Sequence, residues 1–210
     1  MLSDKLTPRT GNTPGQKDKK ELQFRLYRFL LKKYADLINE KEKRTIGEIK
    51  GLINADDLTI QSIIVDFKPK NYDFSRDYLQ AARDVYDFVS REIDYVESEL
   101  GLNYWLSAKE IFSEKIGDDE DLAVFLCSLL YALGDENAAV VIAELENLKT
   151  HAFVVTDFQG QFLLLDPTLK EDFSKFYGIK EQVLKSYHYN GAPIKRFLYK
   201  FNHKIYEQFM

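Results

Sequence analysis

The sequence predicts an α+β domain, with helices first, an antiparallel sheet after them, and one central helix packed on that sheet. Three observations carry this reading. Apolar residues recur at three- and four-residue spacing through most of the chain up to Gly134. Beyond it come three short apolar, β-branched segments, 139–145, 150–156 and 161–166. The last two are separated by Asp157-Phe158-Gln159-Gly160, a turn sequence.

Residues 1–19 contain Pro8, Gly11, Pro14 and Gly15 and few apolar anchors, so they are expected to form a disordered basic tail. A helical N-terminal extension is expected over 20–54. Leu22, Leu26, Phe29, Leu30, Tyr34, Leu37 and Ile38 mark an amphipathic helix to about Glu42, and Thr45–Ile53 a short second one. The main domain is expected over 55–210. Leu58–Phe67 (LTIQSIIVDF) is rich in β-branched residues and reads as a strand closed by Pro69. Residues 75–97 read as a helix capped by Ser75, with Tyr78, Leu79, Ala82, Val85, Tyr86 and Val89 as its apolar stripe. Ser107 and Glu110 have capping-box spacing and open a short helix.

Asp118 then caps the helix expected to be central, with Leu122, Phe125, Leu126, Leu129 and Leu130 facing inward and Gly134 stopping it. The three strands that follow are apolar at alternate positions on both faces, so the sheet should be covered on both sides. The aromatic-rich segment 193–210 can add an edge strand.

Composition narrows the function classes. Hydrophobic residues make up 45% of the 210 and charged residues 30%, the profile of a globular protein. No apolar run reaches spanning length and no secretory leader opens the chain, so neither a membrane partner nor export is expected. The one cysteine, Cys127, excludes an internal disulfide framework and fits the cytoplasm. It equally excludes a multi-cysteine metal site. Residues 1–20 carry five basic side chains against Asp4 and Asp18, about +3, while the rest of the chain is about −8. An acidic body argues against a nucleic-acid module.

The residues with chemical potential are Asp118–Asp121 at a helix start, and His151 and Asp166 in the hairpin. If Asp157 pairs with Gly160 across a two-residue turn, His151 lies directly opposite Asp166, roughly 5 Å away at Cβ. A one-residue bulge at Gly160 would instead put them on opposite faces. A carboxylate opposite an imidazole fixes its tautomer, the third role in a nucleophile–base–orienter triad. His188 and His203 have no ligand spacing, and a capping Asp118 points at backbone amides, so no metal and no cofactor is expected.

Four blocks, Trp105-Leu-Ser-Ala-Lys-Glu110, Gly117-Asp-Asp-Glu-Asp-Leu-Ala123, Thr150-His-Ala-Phe-Val-Val155 and Leu165-Asp-Pro-Thr168, together resemble the transglutaminase-like superfamily. That superfamily has a papain-like fold and is common in archaea and bacteria. The resemblance spans about residues 75–170. It implies a general base at His151, an orienter at Asp166 and a cleft-lining aromatic at Trp105. The family motif reads Gly-Asp-Cys-Glu-Asp, which sets Asp119 at the position of the nucleophilic cysteine. Cys127 lies eight residues further on, roughly 12 Å along the helix and about 80° around it, and cannot take over that position.

The expected function is therefore that of a pseudoenzyme, a non-catalytic domain binding a protein or peptide in the former cleft. Two enzyme readings stand beside it: a hydrolase using Asp119 and His151 as an acid–base pair, or a cysteine-type hydrolase or transamidase whose Cys has been replaced here by Asp.

Overall fold

The computed structural model describes residues 14–97 and 100–210. It divides into two compact units, residues 1–43 with 98–104, and residues 44–97 with 105–210. In the first unit the dominant element is α1, Pro14–Lys41. Proline is tolerated in a first turn because its missing N–H would lack a partner there anyway. The expected disordered tail thus falls outside the described residues over 1–13, and residues 14–19 form the start of α1 instead. Asn39 holds the 100–104 loop: its amide donates to the Gly101 carbonyl at 2.9 Å and its oxygen accepts from the Asn103 N–H at 2.7 Å.

The second unit opens with α2 (Ile46–Gly51), capped by a Thr45–Glu48 box, then α3 (Leu58–Phe67) and α4 (Phe74–Glu92). The segment expected as a strand is thus the helix α3. Asp57 caps it through the Thr59 and Ile60 amides, and Ile60, Ile63 and Ile64 bury one stripe. Helical spacing and a cap outweigh β-branched composition, because packing overrides propensity. In α4 the cap is Asp73 rather than Ser75, its carboxylate accepting from the Arg76 N–H at 3.1 Å.

Strand β1 (Asp94–Tyr95) pairs in parallel with β2 (Ile116–Gly117), and α5 (Ala108–Glu114) lies between them in sequence. The central helix is α6 (Asp119–Ala132), in which nearly every side chain from Asp121 onward is buried. Gly117 lets its first turn come close, since a Cβ there would meet the Asp121 Cβ at 3.1 Å.

The sheet contains β3 (Ala139–Leu145), β4 (Thr150–Phe158), β5 (Gln161–Leu165), β6 (Tyr177–Gly178), β7 (His188–Tyr189) and β8 (Ala192–Phe201), with β9 (Tyr206–Gln208) paired to β8. Helix α7 (Lys180–Ser186) joins β6 to β7. The order is β6-β5-β4-β3-β8-β7, all neighbours antiparallel. The C-terminal segment therefore supplies the inner strand β8, and β7 and β9 lie on its far side.

The sheet is covered on both faces. Val140, Ala152, Val154, Leu163 and Leu165 join the core built by α3, α4 and α6. Val141, Phe153, Val155 and Leu164 join a second core with Val183, Tyr187 and Tyr189. The β4–β5 hairpin turns at Gln159-Gly160, both at positive φ (52° and 77°), as a two-residue hairpin turn of the primed type requires.

Candidate functional site

The hairpin register differs by two residues from the one expected. Phe158 pairs with Gln161 and Val154 with Leu165, so Asp166 follows the last paired residue of β5 and is not directly opposite His151. A shift of two preserves the face, because side chains alternate with period two. His151 and Asp166 still meet, as diagonal neighbours: the imidazole Nε2 lies 2.8 Å from Asp166 Oδ2.

Strand β5 joins β4 only from Val154 onward, which leaves the start of β4 open to the N-terminus of α6. Asp118 caps that helix in a reciprocal box with Asp121, whose other oxygen accepts from the Leu106 N–H at 2.8 Å. These bonds fix Asp119 at the first helical position. Its Oδ2 accepts from His151 Nδ1 at 2.9 Å and from the Ala152 N–H at 2.8 Å. One carboxylate thus ties helix to strand and caps an amide at the strand's free edge.

His151 lies between two carboxylates, Asp119 on Nδ1 and Asp166 on Nε2. His151 and Asp166 are 1% exposed, whereas the Asp119 side chain is 20% exposed. Burial alone would lower the imidazole pKa, but hydrogen bonds to Asp119 and Asp166 outweigh it and push the pKa up to about 9. At neutral pH the ring is then an imidazolium donating from both nitrogens.

Asp166 is held in turn. Tyr187 donates to its Oδ2 at 2.6 Å, and the Thr168 N–H and hydroxyl donate to Oδ1 at 3.0 and 2.7 Å. The Tyr86 hydroxyl donates to its backbone carbonyl at 3.1 Å. Burial, then the Asp166 charge, raises the Tyr187 pKa, so this hydroxyl stays a donor. Tyr189 stacks on His151 with ring centroids 3.7 Å apart, and its hydroxyl pairs with that of Tyr95 at 2.9 Å.

Around the helix start, burial and then the charges of Asp119, Asp118 and Asp121 raise Glu120 to about 8. Burial and then Asp118 raise Asp121 to about 7. Cys127 is fully buried in α6 and its thiol pKa is pushed far up by burial. Among the described residues no group of three or more His, Cys, Asp or Glu is arranged to hold a metal ion.

Asp119, His151 and Asp166 therefore come together in one hydrogen-bonded chain. Trp105 does not join it: its ring meets Phe201 edge-on, 6.1 Å between centroids, against the core. His188 bonds the Ser186 carbonyl, and His203 lies beside the Tyr131 ring. Sequence reasoning missed Tyr86, Tyr95, Tyr187 and Tyr189. They belong to segments whose approach depends on long-range topology, and only the pairing of Tyr189 with Ala192 at the start of β8 carries a local turn signal, Asn190-Gly191.

Comparisons with known proteins bear on the fold. A family model described as the CEP76 peptidase-like domain matches residues 103–191, the stretch holding Asp119, His151 and Asp166. No curated protein matches the sequence. Among solved structures the chain is similar to Legionella pneumophila LapG, with 16% identity, 86% of this chain and 87% of that chain covered, and a TM-score of 0.52. Calcium-bound LapG gives 16% identity, coverage of 85% and 87%, and a TM-score of 0.53. EGTA-treated LapG gives 15% identity, coverage of 87% and 86%, and the same score. The chain thus has the α+β, papain-like fold that its sequence predicts, with helices ahead of an antiparallel sheet.

Proposed function

We propose that this chain is a transglutaminase-like domain without thiol chemistry, which serves as a binding module for a protein or peptide. The observation that carries the reading is the doubly bonded imidazole of His151. Acyl transfer by this fold needs a nucleophile and a base beside it. At position 119 a carboxylate, a poor nucleophile toward an amide, already accepts from His151 and from the Ala152 amide. The imidazole, with its pKa near 9, has no lone pair to offer at neutral pH.

Both halves of the catalytic step are therefore engaged in holding the molecule together. An Asp119 carboxylate against an imidazolium carries the same charges as the thiolate–imidazolium pair of a cysteine enzyme. The ion pair, and the packing it organises, can thus outlive the chemistry. The same bonds count against an Asp119/His151 acid–base hydrolase, since Asp119 Oδ2 and both ring nitrogens are already engaged within the protein. The peptidase-like description of the matching family model supports a cleft shaped for peptide, and the 20% exposure of the Asp119 side chain leaves part of it open to solvent.

The test is a hydrolysis assay with a panel of fluorogenic peptide and glutamine-amide substrates. No turnover above buffer is expected. Turnover by the unaltered chain that disappears in His151→Ala would overturn the proposal in favour of an aspartate-based enzyme.

A further inference from the structure

A cavity of about 190 Å³ opens where α4 meets residues 173–177, and none of its lining belongs to the Asp119–His151–Asp166 chain. Leu79, Gln80 and Arg83 line it from α4, and Phe173, Ser174 and Tyr177 from the facing segment. Spacings of three and four set the α4 residues on one side of that helix. Phe173 is held in place, buried and meeting the Tyr86 ring edge-on, 5.9 Å between centroids.

The polar groups of this cavity are open to a partner. Arg83 is exposed and lies over the Phe173 ring, 5.6 Å from guanidinium carbon to centroid. Among the described residues its N–H groups have neither a hydrogen bond nor an ion pair. The carboxylates beside it along α4 are taken: Asp84 accepts from Gln80 at 2.8 Å and Asp87 from Arg91 at 3.2 Å. In the facing segment Asp172 accepts from the Ser174 N–H at 2.9 Å. The Tyr177 hydroxyl likewise has no hydrogen bond among the described residues.

Size and charge select the occupant. Small-molecule sites enclose about 300–1,000 Å³, so this one suits a single side chain of a larger partner. Leu79, Phe173 and the Tyr177 ring favour an apolar side chain. A guanidinium fork matches a planar carboxylate, which it holds through two parallel bonds. Hydrogen bonds from Ser174, and more weakly the Arg83 charge, hold the Asp172 carboxyl below its ordinary range. That carboxylate repels a doubly charged phosphate, whose sites gather several basic groups. Chain-terminal carboxylates are captured by free backbone amides, and those of Ser174 and Lys175 are already bonded to Asp172.

We propose that this cavity docks a protein partner, taking a large apolar side chain from an internal segment that sets an Asp or Glu carboxylate on Arg83. It is separate from the peptide cleft proposed above and does not rest on that reading. The test titrates the nitrogen-15-labelled full chain with end-blocked decapeptides, each holding one Phe or Leu beside one Asp or Glu in a Gly-Ser background. At about 1 mM, where a contact of millimolar Kd is half filled, amides of residues 79–83 and 173–177 should shift. Counterparts with Asn or Gln for the acid should bind about tenfold more weakly, and Arg83→Gln should cost as much. Arg83→Lys keeps the charge without the fork and should fall between, with the melting temperature of each variant confirming its fold.

Four results would overturn the proposal. One is a panel that leaves these amides unmoved, or moves only those of Asp119, His151 and Ala152, which would assign the peptide to the other cleft. Another is equal binding by the Asn and Gln peptides. The third is a folded Arg83→Gln chain that binds as before. The last is tighter binding of a phosphoserine peptide or of one whose only carboxylate is its free C-terminus.

Discussion

Tyr189 lies flat on the imidazole of His151, ring centroids 3.7 Å apart and planes 15° from parallel. The face of an aromatic ring is its negative side, so a charged imidazolium is attracted to it. The same ring keeps water from one side of the hydrogen bonds to Asp119 and Asp166, and bonds made away from water are stronger. Tyr95 reaches Tyr189 from the β1–β2 pair, whose other strand leads into α6. Helix start, sheet and C-terminal turn are thereby coupled through one histidine.

Removing the ring tests that coupling. Tyr189 is 7% exposed, and Tyr189→Ala should cost about 3–5 kcal/mol, the range for emptying a buried aromatic site. Tyr189→Phe keeps the stack and loses only the hydroxyl bond to Tyr95, about 1 kcal/mol. Urea unfolding of both variants measures the difference. Equal losses would mean that the hydroxyl, not the stacked face, matters at this site.

Stability should fall as pH rises from mildly acidic to alkaline. The His151 pKa is raised from 6.5 to about 9, so its contribution is complete below about 6.5 and is lost as pH climbs through 9. The shift corresponds to something on the order of 3 kcal/mol. Glu120 and Asp121, raised to about 8 and 7, act in the same direction, because each ionises more readily in the unfolded chain. Melting temperature followed from pH 5 to pH 10 should therefore decline, and Asp119→Asn should flatten the part above pH 6.5. A flat or rising curve between 6.5 and 9 for the unaltered chain would contradict the charged state assigned to His151.

Parts of this arrangement were legible in the sequence, and the reasons differ by residue. Asp118, Asp121 and the Leu122–Leu130 run are local signals, and they produce α6 as expected. Asp119, His151 and Asp166 were found because motif order survives a two-residue error in hairpin register: the error leaves parity, and hence the shared face, unchanged. The turn itself was misjudged because Phe158, not Gln159, was taken as its first inner residue. For α3, composition pointed one way and spacing the other, and the buried stripe of Ile60, Ile63 and Ile64 decided for helix. Tyr187 and Tyr189 had no signal of their own, since nothing near them in sequence names Asp166 or His151 as their target. Trp105 was singled out by its motif position, and its ring packs edge-on against Phe201.

A thiol placed at position 119 tests the proposed reading of this site. A thiol introduced by Asp119→Cys would lie in the first turn of α6 beside His151, and both settings lower a thiol pKa. It should react with iodoacetamide faster than Cys127, whose burial pushes its pKa up and shields it. Alkylation rates between pH 6 and 9, read by mass spectrometry, provide the check. A new thiol no faster than an ordinary exposed cysteine would show that His151 does not activate its neighbour once the carboxylate is gone.

The last expectation concerns what the Asp119–His151–Asp166 chain of hydrogen bonds contributes to folding. Asp166 is 1% exposed, and His151→Ala would leave its charge with only Tyr187 and Thr168 as donors. Breaking one side of a buried pair costs about 3–5 kcal/mol, most of it the penalty on the group left behind. The double variant His151→Ala/Asp166→Asn removes that charge as well and should recover part of the loss, giving a coupling energy that neither single change reports. Asp119→Asn should cost less than His151→Ala, because Asp119 is partly solvated and its amide oxygen can still accept from Ala152. Chemical denaturation of the unaltered chain, the three single variants His151→Ala, Asp166→Asn and Asp119→Asn, and the double variant tests the ranking and the coupling. If His151→Ala proves as mild as Asp119→Asn, the fold is held by the packing around the sheet rather than by the charges at its edge.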